Sequence, residues 1–151
     1  MHITAPVAIS VALSIASSAI AATPEQNATN ARAFLETAFN EGKVQEAFAT
    51  YIGANYKQHN PHVPDGKEAS VKGLSTMMAN IKGKMHMDIR RTIAQDDMVA
   101  VHSHSTNGQP GDRGSAVIDL FRFDPNGKIV EHWDVIQPVP AGPAANSNTM
   151  F

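Results

Sequence analysis

The stretch Ser115-Ala-Val-Ile-Asp-Leu-Phe-Arg-Phe123, Asp124-Pro-Asn-Gly127, Lys128-Ile-Val-Glu-His-Trp-Asp-Val-Ile-Gln137 reads as two β-strands joined by a turn. Asp119 lies between Val117 and Phe121 on one face of the first strand. His132 and Asp134 share one face of the second strand. A lone carboxylate inside a protein is costly and tends to take up a proton. Three polar groups directed at one interior therefore indicate the floor of a pocket.

The length of the turn predicts how these two strands pair. If Phe123 and Lys128 close a four-residue loop, Asp119 lies directly opposite His132. Asp134 then lies one pleat along on the same side of the sheet. Directly opposed residues approach to about 4.5–5.5 Å at Cβ, which predicts a hydrogen bond between Asp119 and His132. The alternative interpretation is that Asp119 is a structural carboxylate held by His132, with no role in chemistry.

The preceding strand contributes a His-x-His pair, His102 and His104, which share one face because side chains alternate along a strand. Alternation alone does not decide whether that face lines the pocket or meets solvent. If it lines the pocket, both histidines are candidate substrate-binding residues. With His132 and a carboxylate they could also supply the ligands of a zinc or iron site. The chain has no cysteine, which excludes a thiolate site and a disulfide framework.

The order of elements predicts an α+β fold, because helical periodicity fills the first half of the mature chain and strand periodicity the second. Helices are expected from Thr23 to about Asn40, from Lys43 to about Ile52, and from about Lys67 to Lys82 with Asp65 as its cap. Strands are expected at about 85–95, 97–106, 114–123 and 128–137. A curved antiparallel sheet wrapped around the helices would enclose a cavity suited to a small ligand.

The bulk properties restrict the partners and suggest where the protein resides. The chain has 151 residues and a net charge of −2, without a run of lysine or arginine, so neither nucleic acid nor an anionic membrane surface is an expected partner. Residues 3–22 carry no charged side chain and end in Ala19-Ile-Ala-Ala22. This segment predicts a signal peptide over 1–21, a single domain over 22–151, and export to the periplasm or outside the cell. An uncleaved membrane anchor is the alternative.

Several motifs resemble those of one protein family. They are Gln58-His-Asn-Pro61 with Pro64-Asp-Gly66, Gly111-Asp-Arg-Gly114, Asp119-Leu-Phe-Arg-Phe123 and Gly127-Lys-Ile-Val-Glu-His-Trp-Asp134. The chain resembles the SnoaL-like polyketide cyclases of the nuclear-transport-factor-2-like superfold, and within them a subgroup described as aldol-condensation-catalysing enzymes. The resemblance implies a cone-shaped fold with the helices inside a curved sheet, a pocket in the cone, and a homodimer formed through the convex face.

The resemblance also implies roles for particular residues. In SnoaL-like cyclases an aspartate inside the cone acts as acid/base, a role that Asp134 or Asp119 could fill with His132 as a catalytic partner. The loop carrying His59 and Asn60 would reach the mouth of the pocket, and Tyr56 would form part of its wall. The candidate substrate-binding residues are therefore Tyr56, His59, Asn60, His102 and His104.

The hairpin also resembles that of ketosteroid isomerase, a relative with the same cone. That enzyme's oxyanion-hole aspartic acid falls on Asp119. Its catalytic base falls on Asn60, which cannot act as a base, and its oxyanion tyrosine falls near Leu35, which has no hydrogen-bond donor. Two of three functional positions therefore depart from the isomerase set, which argues against steroid isomerisation.

The leading hypothesis is an acid/base enzyme that needs no cofactor or metal and acts on a small apolar carbonyl compound. Aldol-type ring closure, isomerisation or a lyase step would suit the residues. A protein of this fold could instead bind a small hydrophobic molecule and catalyse nothing. A metal-dependent enzyme that uses the His-x-His strand is the third hypothesis.

Overall fold

The computed structural model describes residues 21–81 and 84–151. The predicted export segment, 1–21, lies outside the described residues apart from Ala21. The described helices are α1 (Pro24–Leu35), a π-helical turn (Glu36–Asn40), α2 (Val44–Tyr51) and α3 (Lys67–Asn80). The strands are β1 (Ile52–Gln58), β2 (His86–Gln95), β3 (Met98–Thr106), β4 (Ser115–Phe123) and β5 (Ile129–Pro138). Within these ranges, no helix is both long and apolar enough to cross a membrane.

The five strands form one sheet in the order β1-β5-β4-β3-β2. The meander from β2 to β5 is antiparallel and matches the predicted strands to within about one residue at each end. β1 was not predicted, since its residues were assigned to a helix end and a loop. It pairs in parallel with β5, where Gln58 lies beside His132, and this makes the sheet mixed rather than wholly antiparallel.

Local sequence signals set the ends of the helices. The backbone N–H of Gln26 donates to Thr23 Oγ1 at 3.2 Å, and Pro24 occupies the first turn of α1. Gly42 has a φ of 71°, the left-handed conformation expected where the helical segment ends. The prediction that Asp65 caps α3 is wrong. Its Oδ1 accepts the backbone N–H groups of Gln58 and Gly66 instead, and so fixes the loop after β1.

The helices pack against the concave face of the curved sheet, which confirms the α+β fold class. The core between the two layers contains an aromatic cluster. The ring of Phe34 meets those of Phe48 and Phe121 edge-on, with centroids 5.4 and 5.8 Å apart. On β3 the inward residues are Val99, Val101 and Ser103, all fully buried. Side chains of β4 and β5 that lie on the same face of the sheet therefore point toward the same interior.

Candidate active site

A cavity of about 360 Å³ lies between the helices and the concave face of the sheet. Its wall is mostly apolar, and its polar groups lie on β1, β3, β4, β5 and the loop after β1. The polar lining residues are Tyr56, Gln58, Asn60, His62, Ser105, Ser115, Asp119, His132 and Asp134. Within the described part of the chain, neither lysine nor arginine lines the cavity. A volume near the lower end of the range for ligand pockets suits a small molecule.

The hairpin that carries the central residues pairs differently from the prediction. Asp119 lies opposite Asp134, and Phe121 lies opposite His132, so the register is displaced by two residues. One residue of the displacement comes from the loop, because Phe123 pairs with Ile129 and not with Lys128 as predicted. The other comes from an irregularity after Arg122, which pairs with Glu131. A displacement of two residues leaves each side chain on its predicted face. The three polar groups consequently still point into the cavity.

Asp119 and His132 form the predicted hydrogen bond, as diagonal rather than direct neighbours. His132 Nε2 lies 3.0 Å from Asp119 Oδ1, and both side chains are buried. Burial raises the pKa of Asp119; His132 opposes that shift, and the nearby Asp134 reinforces it. The second oxygen, Asp119 Oδ2, is buried without a hydrogen-bond partner among the described residues.

Asp134 faces the cavity beside this pair and is oriented by Asn60. The side-chain amide of Asn60 donates from Nδ2 to Asp134 Oδ2 at 2.6 Å. Asn60 Oδ1 accepts the backbone N–H of His62 at 2.8 Å, which fixes the amide so that its NH₂ group points to the carboxylate. One oxygen of the Asp134 carboxyl group is thus anchored by a donor of fixed orientation.

Tyr56 and Gln58 reach the same group of residues from β1. Gln58 Nε2 donates to the Tyr56 hydroxyl oxygen at 2.9 Å, while Gln58 Oε1 lies 2.9 Å from His132 Nδ1. Desolvation raises the pKa of Tyr56, and the carboxylates of Asp119 and Asp134 add to the shift, so the phenol keeps its proton. Gln58 was missed as a site residue. The signal was its place two residues after Tyr56, on one face of a strand that went unrecognised.

The prediction that His102 and His104 line the pocket is wrong. Both lie on the outer face of β3, because the inward positions are occupied by the alternate residues, including Val101 and Ser103. His102 Nδ1 lies 2.7 Å from the Arg91 guanidinium, and His104 Nε2 lies 2.9 Å from a backbone carbonyl oxygen. The C-terminal Phe151 stacks on the His104 ring, with centroids 4.2 Å apart.

The structure also places His59 outside the cavity. Its ring stacks on Trp133 with centroids 4.7 Å apart, and its Nε2 lies 2.9 Å from Glu131 Oε1. Trp133 lies on the outer side of β5, because side chains alternate along a strand and its neighbours His132 and Asp134 line the cavity. The backbone N–H of His59 donates to the carbonyl oxygen of His132 at 2.9 Å. His59 therefore fastens the loop to β5 from outside, while its neighbour Asn60 enters the cavity.

The metal site proposed with the His-x-His strand does not form, because that strand turns both histidines away. The remaining candidates, Asp119, His132 and Asp134, have ligand atoms within 4.8 Å of one another. Two of these groups already satisfy each other through the hydrogen bond between His132 and Asp119. The third accepts a hydrogen bond from Asn60, so the arrangement favours proton transfer among the side chains over ligation of an ion.

The chain belongs to the SnoaL-like family. The model of the SnoaL-like domain matches residues 31–132, which include β1 and most of the hairpin. No curated protein matches the sequence. The fold is shared with a SnoaL-like protein of unknown function from Burkholderia thailandensis, at 17% identity and a TM-score of 0.63, covering 76% of this chain and 98% of that one.

Two further solved structures carry proposed enzyme names. One is a proposed polyketide cyclase from Acidithiobacillus ferrooxidans, at 21% identity and a TM-score of 0.60, covering 82% of this chain and 91% of that chain. The other is a proposed ketosteroid isomerase from Kribbella flavida, at 16% identity and a TM-score of 0.64, covering 82% of this chain and 87% of that chain. At such low identity the similarity establishes the shared fold, and the chemistry must be argued from the site.

Proposed function

We propose that this protein is an acid/base enzyme, independent of any cofactor, that acts on a small apolar carbonyl compound. Its step would be an enolisation that leads to aldol-type ring closure, isomerisation or cleavage. One observation carries the proposal: the anchored carboxylate of Asp134 stands beside the buried Asp119–His132 pair in an otherwise apolar cavity. A base and a proton-bearing group so placed can act on adjacent atoms of one substrate.

Asp134 is the proposed base. It is partly exposed to the cavity, and one of its oxygens is held by the Asn60 amide at 2.6 Å. The other oxygen can then accept a proton from the carbon next to a carbonyl group. Asn60 itself cannot take a proton. In the resemblance to ketosteroid isomerase the base position falls on Asn60, and here that residue instead orients a neighbouring carboxylate.

Tyr56 and the Asp119–His132 pair are the proposed partners of the developing enolate oxygen. The Tyr56 hydroxyl accepts from Gln58, so its own proton remains available for donation into the cavity. The raised pKa of Tyr56 keeps that proton in place. Donors held in position before the reaction stabilise a negative charge without further reorganisation. Leu35 lines the cavity as an apolar wall, so the donor of this site comes from β1 instead.

The charges of the lining define the substrate class. The Asp134 carboxylate faces the cavity beside the Asp119–His132 pair, and no lysine or arginine among the described residues lines the cavity to attract an anion. A carboxylate- or phosphate-bearing substrate would be repelled, because the low dielectric of the site strengthens like-charge interactions. An uncharged carbonyl compound with an apolar body fits both the aspartates and the wall of phenylalanine, leucine and methionine side chains.

Exchange of carbon-bound hydrogen tests the proposal directly. 2-Tetralone, an uncharged bicyclic ketone, would be incubated with the protein in D₂O and its α-hydrogens followed by ¹H NMR. We expect exchange above the buffer rate, lowered by about 10²–10⁴-fold in Asp134→Asn, the usual contribution of a positioned acid/base group. Asp97→Asn, at an exposed turn between β2 and β3, is the matched control and should exchange like the wild type.

Two outcomes would count against this function. An Asp134→Asn variant that folds and exchanges at the wild-type rate removes Asp134 as the base. A wild-type protein that binds 2-tetralone by calorimetry yet never accelerates exchange favours the alternative, a non-catalytic protein that binds small hydrophobic molecules.

Export and pairing remain proposals of their own. We propose that residues 1–21 are removed on export, supported by the uncharged, alanine-rich composition of residues 3–22. We also propose a homodimer formed through the outer face of the sheet, supported by the exposed apolar side chains of Ile93 and Val135 there. N-terminal sequencing of the secreted protein and light scattering of the purified protein test the two proposals.

A further inference from the structure

Gln58 contacts three residues of the candidate site and is not itself one of the groups proposed above to take or donate a proton. Its side chain lies between Tyr56, His132 and the backbone of Asn60. Because a backbone N–H can only donate, the atom 2.9 Å from the Asn60 nitrogen must be the amide oxygen, Oε1. The NH₂ group then points to the Tyr56 hydroxyl, as its distance of 2.9 Å requires. The orientation of the Gln58 amide is thereby fixed.

That orientation determines where His132 carries its proton. Nδ1 of His132 lies 2.9 Å from Gln58 Oε1, an atom that can only accept a hydrogen bond. Nδ1 must therefore be protonated. The other ring nitrogen, Nε2, faces Asp119 Oδ1 at 3.0 Å. Two states satisfy this contact. If His132 is neutral, its Nε2 carries a lone pair, and Asp119 must be protonated to donate a hydrogen bond to it. If His132 is a cation, Nε2 donates its proton to an ionised Asp119.

In both of these states one proton lies between Asp119 and His132, and the pair has no net charge. Loss of that proton would leave two arrangements, and both are unfavourable. With the ring proton on Nδ1, the Nε2 lone pair would face a carboxylate oxygen. With the ring proton on Nε2, the Nδ1 lone pair would face the Gln58 oxygen. The desolvated carboxylate of Asp119 adds to the preference for keeping the proton.

We propose that Gln58 is a positioning residue that holds His132 in the Nδ1–H form and so keeps one transferable proton between His132 and Asp119. Gln58 does not touch the reacting atoms. It acts through His132, and through Tyr56, whose hydroxyl oxygen it occupies as a donor so that the phenolic proton is directed elsewhere. One residue of β1 thus sets the proton positions of both groups proposed to meet the enolate oxygen.

Nitrogen NMR of the histidine ring tests this proposal without any activity assay. In ¹⁵N-labelled protein, long-range ¹H–¹⁵N spectra report which ring nitrogen carries the proton, and His132→Asn identifies the signals by their loss. We expect a protonated His132 Nδ1 in the wild type at neutral pH. In Gln58→Met, which removes the acceptor at similar volume, we expect the proton to move to Nε2, facing Asp119. Tyr56→Phe, which leaves Oε1 in place, should retain the wild-type form.

Two NMR results would contradict the proposal. A wild-type His132 that is neutral and protonated on Nε2 overturns the proposal, as does a folded Gln58→Met protein that keeps the Nδ1–H form. If Gln58→Met does not fold, Asp119→Asn decides the matter. The side-chain amide of this variant can either donate to Nε2 or accept from it, so it imposes no tautomer on His132. The ring proton should therefore stay on Nδ1 only if Gln58 holds it there. An Nε2–H form in Asp119→Asn then refutes the proposal.

A kinetic measurement extends the test and rests on the proposed function. For exchange of 2-tetralone, Gln58→Met should lower kcat by about tenfold, the value of one hydrogen bond of ordinary strength, with a smaller change in KM. If the His132 tautomer changes in Gln58→Met while kcat does not, Gln58 controls the position of the ring proton but the reaction does not use that proton. Absence of exchange in the wild type would contradict the proposed function and leave the NMR result standing.

Discussion

Asn40 provides a sharp test of how the described fold is held together, because its side chain closes the open edge of the sheet. β2 is the last strand of the sheet, and the backbone of Met87 on that edge has no neighbouring strand. Asn40, at the end of the π-helical turn, supplies both missing partners. Its Oδ1 accepts the Met87 N–H at 2.6 Å, and its Nδ2 donates to the Met87 carbonyl oxygen at 3.1 Å. Both residues are buried.

Asn40→Ala would leave two buried backbone groups without partners. Each such group costs about 1–3 kcal/mol, which gives about 2–6 kcal/mol of lost unfolding free energy. Water that reaches the edge after truncation brings the expected value to the lower half of that range, about 2–4 kcal/mol. Urea unfolding followed by circular dichroism measures this loss. The wild type and Asn40→Ala are compared with a common dependence of the unfolding free energy on urea concentration.

Asn80→Ala, at the exposed end of α3, is the matched control and should change stability by less than about 0.5 kcal/mol. Asn40→Asp should also be destabilising, since a carboxylate can accept the Met87 N–H but cannot donate to its carbonyl oxygen. A loss below about 1 kcal/mol in Asn40→Ala would refute the assignment of Asn40 as the partner of this edge.

Four further outcomes are expected. Asp119→Asn should gain stability relative to the wild type as the pH rises above about 4, because the raised pKa of Asp119 makes the native wild type hold a proton that the unfolded chain releases. Urea unfolding of both proteins across this pH range measures the effect. A difference in unfolding free energy that does not change with pH would contradict the prediction. Tyr56→Phe should fold normally and lose about 10²–10³-fold in 2-tetralone exchange if the phenol stabilises the enolate. Gly114→Ala should lower the melting temperature, because Gly114 has a φ of 72° and an added Cβ would overlap the backbone oxygen of Ser105. Exchange activity should survive dialysis against EDTA, and a loss that Zn²⁺ restores would instead place a metal among Asp119, His132 and Asp134.

The meander of β2 to β5 could be predicted from the sequence because strand alternation and turn residues are local signals. The predicted run of 85–95, for example, is β2 at His86–Gln95. β1 could not be predicted in the same way. It is seven residues long, contains an irregularity, and is stabilised by pairing with β5, far along the chain. Tyr56 was a candidate for the pocket wall, but without β1 the placement of Gln58 beside His132 could not be recognised.

The face of the His-x-His strand illustrates a second limit. Both faces of β3 have plausible sequences, one with valines and serines and the other with His102 and His104. The helices cover the face of the valines, so the histidines lie outside, and packing between distant elements made that choice. The family resemblance placed His59 near the cavity mouth, whereas its ring stacks on Trp133 outside the cavity.

The sequence by itself determined which side of the sheet carries Asp119, His132 and Asp134. A strand repeats every two residues, and even a displacement of the register by two leaves those side chains facing the interior. Only the tertiary structure decided which atoms meet there. The longer loop that ends at Ile129 and the irregularity after Arg122 together set Asp119 opposite Asp134. The parallel pairing of β1 with β5 brought Gln58 to His132. Hydrogen bonds act over about 3 Å, so contacts between distant segments decide where each proton lies.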